Sequence, residues 1–271
     1  MQRHHEHSNI PGSRRPEAVR RRPSAELRRK AEQVDRLLEA RYGRVVKRGR
    51  RDLIDVLIGT ILSQNTTDVN SDRAMERLRR RFRSWAVVRD APVEAVADAI
   101  RPAGLGTLKA PRIQAALKTI TNEGGGRLSL DFLRPWPAQR AKAWLRSLHG
   151  VGPKTAAIVL VFGLGKPAFP VDTHVYRVAR RIGLIPEELS VEQAHDWMEA
   201  LVRPARYGAF HLLLVRHGRA VCRAGRPRCE VCPVNRMCYF YAASRRKRRP
   251  ERAAGSGARQ RARVGVRRGG G

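Results

Sequence analysis

The stretch Leu148-His149-Gly150-Val151-Gly152-Pro153-Lys154-Thr155-Ala156 decides the fold, because its glycines break an otherwise continuous succession of helical patterns at one defined point. Gly150 and Gly152 lack a Cβ and can take positive φ. A tight turn there brings backbone N–H groups to the surface beside the start of the next helix, an arrangement suited to a phosphate. Val151, between them, is expected to plug the turn into the core. Working outward, the next helix spans Lys154 to Gly163, and upstream patterns cover Arg140 to Leu148, Pro111 to Thr121, Val93 to Ile100 and Ala74 to Phe82. Asp52 to Leu62 is apolar around its whole circumference through Leu53, Ile54, Val56, Leu57, Ile58 and Ile61, which marks a core helix. The first helix runs from Ser24 to Tyr42, with Ser24 as N-cap and Gly43 as stop. Downstream patterns cover His174 to Ile182, Val191 to Leu201 and Tyr207 to His217. No segment shows sustained period-two alternation, so the class is all-α.

Two further constellations carry chemistry. Beyond Lys154 the chain reads Phe169-Pro170-Val171-Asp172-Thr173-His174-Val175-Tyr176-Arg177, placing Asp172, eighteen residues past the lysine, at a helix N-terminus where an aspartate is also an ordinary cap. All four cysteines fall in one window, Cys222-x6-Cys229-x2-Cys232-x5-Cys238. Disulfides are disfavoured in so large a chain without a secretion signal. Four thiolates can hold zinc or a [4Fe–4S] cluster, and spacing considered physically leaves both open. Arg223, Arg226 and Arg228 crowd the loop between the first two cysteines, with Pro227 and Pro233 limiting its freedom.

The pattern L-x-G-V-G-x-K-T-A followed by an apolar helix looks like the helix-hairpin-helix of DNA-repair glycosylases. Paired with Pro-Val-Asp-Thr-His, it resembles the hairpin–GPD superfamily that includes endonuclease III, over roughly Ser24 to Tyr241. The resemblance implies Lys154 as nucleophile, Asp172 as its partner, and DNA contacts from Gly150, Val151, Gly152, Thr155 and His174. It places Leu105, in Ala103-Gly104-Leu105-Gly106, as a wedge entering the base stack. A second insertion is expected from Ile61 to Asp68, including Gln64 and Asn65. Endonuclease III sequences read like Leu-Ser-Ala-Gln-Ala-Thr-Asp, so Asn65 stands where their glutamine stands. That departure bears on lesion spectrum and opposite-base preference. The cysteine spacing resembles that family's [4Fe–4S] site, with the arginine loop as a phosphate-binding finger.

What the resemblance implies is a bifunctional DNA glycosylase and abasic-site lyase that removes damaged pyrimidines from duplex DNA and acts as a monomer. Its architecture is two helical domains flanking a DNA cleft: residues 47–166 with the hairpin, and 24–46 plus 167–245 around the cluster. A lysine amine attacks only when unprotonated, and its usual pKa of about 10.4 leaves few neutral amines at pH 7. A helix N-terminus and a partly buried cleft both lower that value, while Asp172 opposes them. A monofunctional adenine or mismatched-thymine glycosylase shares the hairpin, aspartate and cluster, but Lys154 argues against it. A non-catalytic DNA-binding module is expected to have lost Lys154 or Asp172.

Charge points the same way. The 271 residues carry a formal net charge of +32. So positive a body attracts polyanions, because each neutralised phosphate releases counterions. Arginine-dense tails at 1–23 and 246–271 are expected to be disordered. No apolar run suits a signal peptide or a membrane span, so a cytoplasmic protein is expected, nucleoid-associated if bacterial.

Overall fold

Ser24 and Gly43 frame the first helix as their chemistry requires. In the computed structural model, which describes residues 22–45 and 52–248, helix α1 covers Ala25–Tyr42. The Ser24 hydroxyl accepts from Leu27 N at 3.1 Å, and Gly43 ends the helix at φ 80°. Helix α2, Leu53–Leu62, is capped by Asp52, whose Oδ1 accepts from Ile54 N at 2.7 Å. The chain continues through α3 (Asp68–Arg81), α4 (Trp85–Asp90), α5 (Val93–Ala99), α6 (Gly106–Glu123), α7 (Ala138–Ser147) and α8 (Pro153–Ile158). Then come α9 (Thr173–Ile182), α10 (Val191–Leu201), α11 (Tyr207–Ala220) and α12 (Tyr239–Arg248). No strand occurs among the described residues, so the all-α expectation holds.

Several boundaries differ from the sequence patterns for local reasons. Helix α3 begins at Asp68 rather than Ala74, because Thr67 accepts from Asn70 N at 3.3 Å and starts the helix before its first buried apolar residue. Helix α6 begins at Gly106 and passes through Pro111, held by buried Ala110, Ile113, Leu117 and Ile120. The helix expected from Lys154 to Gly163 divides: α8 ends at Ile158 and Val159–Leu164 continues as a wider π-helical segment. Helices α4 and α12 were absent from the sequence patterns; six residues capped by Ser84 are too few for periodicity to register. Helix α12 runs to Arg248, into the stretch expected as tail from 246, while residues 1–21 and 249–271 lie outside the described ones.

Two cores hold these elements. One gathers α2 to α8 around Leu57, Ile58, Ile61, Leu117 and Leu160 and ends at Ala168. The other begins at Phe169 and takes in α9, α10 and α11, but also Ala31, Val34 and Leu38 of α1. The chain therefore starts in the second core, leaves to build the first, and returns. Ion pairs cross the junction: Lys142 Nζ to Glu199 Oε1 at 2.9 Å, Arg146 to Glu192 at 2.7 Å, and Arg219 to Asp68. Each pair joins one residue of α3 or α7 to one of α10 or α11.

Candidate active site

The hairpin reaches the site through a mixture of strain and burial. Gly150 sits at φ +82°, a left-handed conformation that disfavours any side chain. A Cβ there would also meet Arg112 Cδ of α6 at 2.6 Å. Gly152 is different from what its pairing with Gly150 suggested. Its φ is −85° with an extended ψ, and a Cβ built on it meets no atom within 4 Å. Gly150 makes the turn, whereas Gly152 keeps the outer face bare, beside the uncapped first turn of α8. Val151 is 5% exposed and packs in the first core. Thr155 is buried, and its Oγ1 lies 3.4 Å from Gln64 Nε2, so any part it plays at the surface falls to its backbone.

Lys154 is the second residue of α8 and half-buried. Burial lowers its pKa below the ordinary lysine value; Asp172 and Asp68 oppose that shift, and Arg219 reinforces it. Asp172 caps α9 by accepting from Val175 N at 2.7 Å through Oδ1. Lys154 forms no ion pair with Asp172; the carboxylate acts on the amine through space. His174, half-buried, lies 3.1 Å from Arg177 Nη2 through its Nδ1, and burial lowers its pKa.

The strand-like segment that carries Asp172 is pinned from beneath. Phe169 N donates to Glu199 Oε1 at 3.2 Å. His195 Nδ1 lies 3.1 Å from Phe169 O, and His211 Nδ1 lies 3.0 Å from Pro170 O. Burial pushes the His195 pKa down to about 4 and lowers that of His211 as well, so both rings are neutral and can donate from Nδ1. Neither histidine was singled out from the sequence, because the carbonyl each one meets lies 26 or 41 residues away and local spacing does not mark it. Asp68 and Arg219, joined at 2.5 Å with a second contact of 2.9 Å, were missed for the same reason.

Two loop tips carry the residues expected to enter the base stack, and one of them touches the hairpin. Gln64 Nε2 donates to Gly150 O at 3.2 Å, so its amide is turned toward the hairpin. Asn65 is exposed at φ 52°. Asparagine tolerates this left-handed conformation better than glutamine, which gives the sequence departure a local reason. Leu105 also adopts φ 52° and is 50% exposed, far from the core position a lone leucine usually takes.

The four cysteines line one pocket, together with Arg181, His217 and Pro227. None of the four is joined in a disulfide. Burial pushes the Cys232 thiol up to about 11 and raises Cys229 and Cys238. Among the described residues no three His, Cys, Asp or Glu side chains converge closely enough to hold a single metal ion. The loop that follows Cys222 is tied down by Arg181, whose guanidinium donates to Arg223 O at 2.7 Å and Ala224 O at 2.8 Å. Arg223, Arg226 and Arg228 are left exposed along it. No helix is long and apolar enough to cross a membrane among the described residues.

The family described as HhH-GPD superfamily base excision DNA repair protein matches residues 58–204. Endonuclease III of Thermotoga maritima is 33% identical over 76% of this chain and 93% of its own. Two solved structures of endonuclease III with DNA, one non-covalent and one a trapped covalent intermediate, superpose with TM-scores of 0.70 and 0.69. Both are 26% identical and cover 81% and 80% of this chain and 98% of their own. The hairpin, the aspartate-capped helix and the cysteine pocket thus lie in a chain that belongs to the endonuclease III family of the HhH-GPD superfamily of base excision DNA repair proteins.

Proposed function

We propose that this base excision repair DNA glycosylase is bifunctional, with Lys154 as nucleophile and damaged pyrimidines in duplex DNA as substrates. The observation that carries the reading is Lys154 itself: a half-buried amine with a lowered pKa, in the field of Asp172 but not paired to it. Gly150, the bare face of Gly152 and the backbone of Thr155 receive a phosphate at the mouth of α8. Asn65 and Leu105 fill the gap left when the damaged nucleotide turns out of the stack. The DNA lies in the cleft between two lobes built on the two cores, with His174 and Arg223, Arg226 and Arg228 on its phosphates.

The neutral amine of Lys154 attacks C1′ of the deoxyribose while the bond to the base breaks, and the base leaves with that electron pair and takes up a proton. Asp172 stabilises the positive character that develops on the sugar and accepts a proton from the substituted amine. Opening of the sugar ring then gives a Schiff base between Nζ and C1′. Loss of a C2′ proton expels the 3′ phosphate, which nicks the strand, and water releases the lysine. Support comes from the solved endonuclease III relative that is a trapped covalent intermediate with DNA.

Cys222, Cys229, Cys232 and Cys238 fit a [4Fe–4S] cluster better than zinc. Four thiolates suit either group; what favours the cluster is the spacing Cys222-x6-Cys229-x2-Cys232-x5-Cys238, which resembles the family's cluster site, together with the common pocket that the four cysteines line. A bound cluster supplies a rigid, charge-delocalising cross-link among these four thiolates. Arg181 and Arg177 already shape the adjacent loop, donating to Arg223 O, Ala224 O and Cys222 O.

Borohydride reduction in the presence of duplex DNA bearing thymine glycol tests the reading. Wild-type protein is expected to give a covalent adduct and Lys154→Ala none. Adduct formation by Lys154→Ala at the wild-type level rejects the nucleophile. A panel that adds uracil, T·G and A·8-oxoguanine duplexes tests the substrate class, and preferential adenine release rejects damaged pyrimidines.

A further inference from the structure

Lys109 becomes conspicuous only in three dimensions. It lies in the first turn of α6 and is 2% exposed. Its Nζ donates to three backbone carbonyls, Leu62 O at 2.9 Å, Gln64 O at 2.8 Å and Ala103 O at 2.9 Å. An ammonium has three donors, so this set is complete. The acceptors belong to two separate loops. Leu62 and Gln64 lie where α2 ends, at the negative pole of its dipole, immediately before Asn65. Ala103 ends a 3₁₀ turn two residues before Leu105.

The tips of those loops are Asn65 and Leu105, the only non-glycine residues with positive φ among the described ones. Such conformations cost about 1–3 kcal/mol each and persist only where the surroundings over-determine them. Lys109 provides part of that determination. Its backbone N donates to Leu105 O at 2.9 Å while its side chain holds Ala103 O, so one residue grips the Leu105 tip from both sides. Through the same ammonium that tip is joined to the Asn65 loop.

We propose that Lys109 is a positioning residue for base extrusion, tying the Asn65 and Leu105 tips into one unit that enters the duplex together. The inference rests on the reading of those tips as DNA-inserting. It follows that Lys109 matters where a nucleotide or abasic sugar must be turned out of a duplex and not where the strand is already single. Lys154 and Asp172 stand on α8 and at the start of α9, outside both loops; Asp172 is held by its own cap to Val175 N, and the Asn65 loop meets the hairpin through the Gln64 side chain and not through Lys109.

The test uses the full-length protein with its cofactor and compares wild type with Lys109→Met, which keeps a buried apolar stem and removes the donors. Lys109→Arg serves as the conservative variant. Single-turnover borohydride trapping is measured on an abasic site in duplex DNA and on the same site in single-stranded DNA. Lys109→Met is expected to lose about tenfold or more on the duplex while staying within about twofold of wild type on the single strand, with Lys109→Arg recovering part of the loss. Equal effects on both substrates, whether both rates fall or neither does, overturn the proposal. Should Lys109→Met fail to fold, the same ratio for Lys109→Arg decides. If wild type traps neither substrate, the lyase reading has failed instead. Fluorescence of 2-aminopurine beside the lesion, which needs only binding and unstacking, then judges the clamp, with equal brightening by wild type and variant counting against it.

Discussion

Gly150 and Gly152 look alike in the sequence, and substituting each with alanine should give opposite outcomes. Gly150→Ala places a Cβ on a residue at φ +82°, a conformation that costs an L-residue about 1–2 kcal/mol. The new methyl also lands 2.6 Å from Arg112 Cδ and 3.2 Å from Arg112 Cγ, so the outer part of that side chain must shift. Overpacking of this kind adds about 1 kcal/mol or more, for a total of about 2–3 kcal/mol. For a folded unit near 200 residues this corresponds to a fall in Tm of about 5–10 °C. Gly152→Ala introduces no strain, since its φ is −85° and no atom lies within 4 Å of the added carbon. Its stability should be unchanged or raised by up to about 1 kcal/mol, because alanine restricts the unfolded chain. What it loses is the bare face on which a phosphate approaches the backbone. Losing one charge-assisted hydrogen bond is worth about 1.5–3 kcal/mol, a weakening of about tenfold to a hundredfold in Kd. The salt slope of binding should not change, since no cation has been removed. Thermal unfolding and titration with an abasic duplex at several salt concentrations measure both effects. Gly152→Ala binding within twofold of wild type would refute the placement of the phosphate, and an unchanged Tm for Gly150→Ala would refute the strain argument.

Other perturbations address the charges around the site. Trapping should rise with pH and level off as Lys154 loses its proton; Asp68→Asn should move that rise to lower pH and Arg219→Ala to higher pH, because Asp68 raises and Arg219 lowers the amine's pKa. Single-turnover trapping across a pH series checks this, and coincident profiles reject the coupling. His195 is neutral in the folded protein with a pKa of about 4. The unfolded chain takes up its proton near pH 6.5, so the stability His195 contributes is fully present above 6.5 and is lost as pH falls toward 4. The full change is on the order of 3 kcal/mol. Urea unfolding at pH 7.5 and 5 should therefore show less acid sensitivity in His195→Asn, and an unaltered difference would reject the assignment. Cys229→Ser should lower iron and sulfide content and weaken duplex affinity through the Arg223 to Arg228 loop, with retention of both arguing against a cluster at this pocket.

The amino-acid sequence by itself determined what is local. Ser24 and Gly43 bound α1 because a hydroxyl cap and a glycine stop act within one helical turn. The apolar circumference of 53–62 made a core helix, and the glycine hairpin with its lysine, the capping aspartate and the cysteine spacing each lie within a few residues. Pro111 and Thr67 show the limit even of local signals, since α6 runs through the proline on the strength of its buried face. Only the tertiary structure decided the rest. Lys109 reaches carbonyls 47, 45 and 6 residues away, and Arg219 meets Asp68 across 151. Their roles depend on which groups desolvation brings to them, and sequence spacing holds no record of that. Gly150 and Gly152 mark the division most directly: the sequence supplied two residues free to bend, and Arg112 packing beneath the hairpin showed which one does.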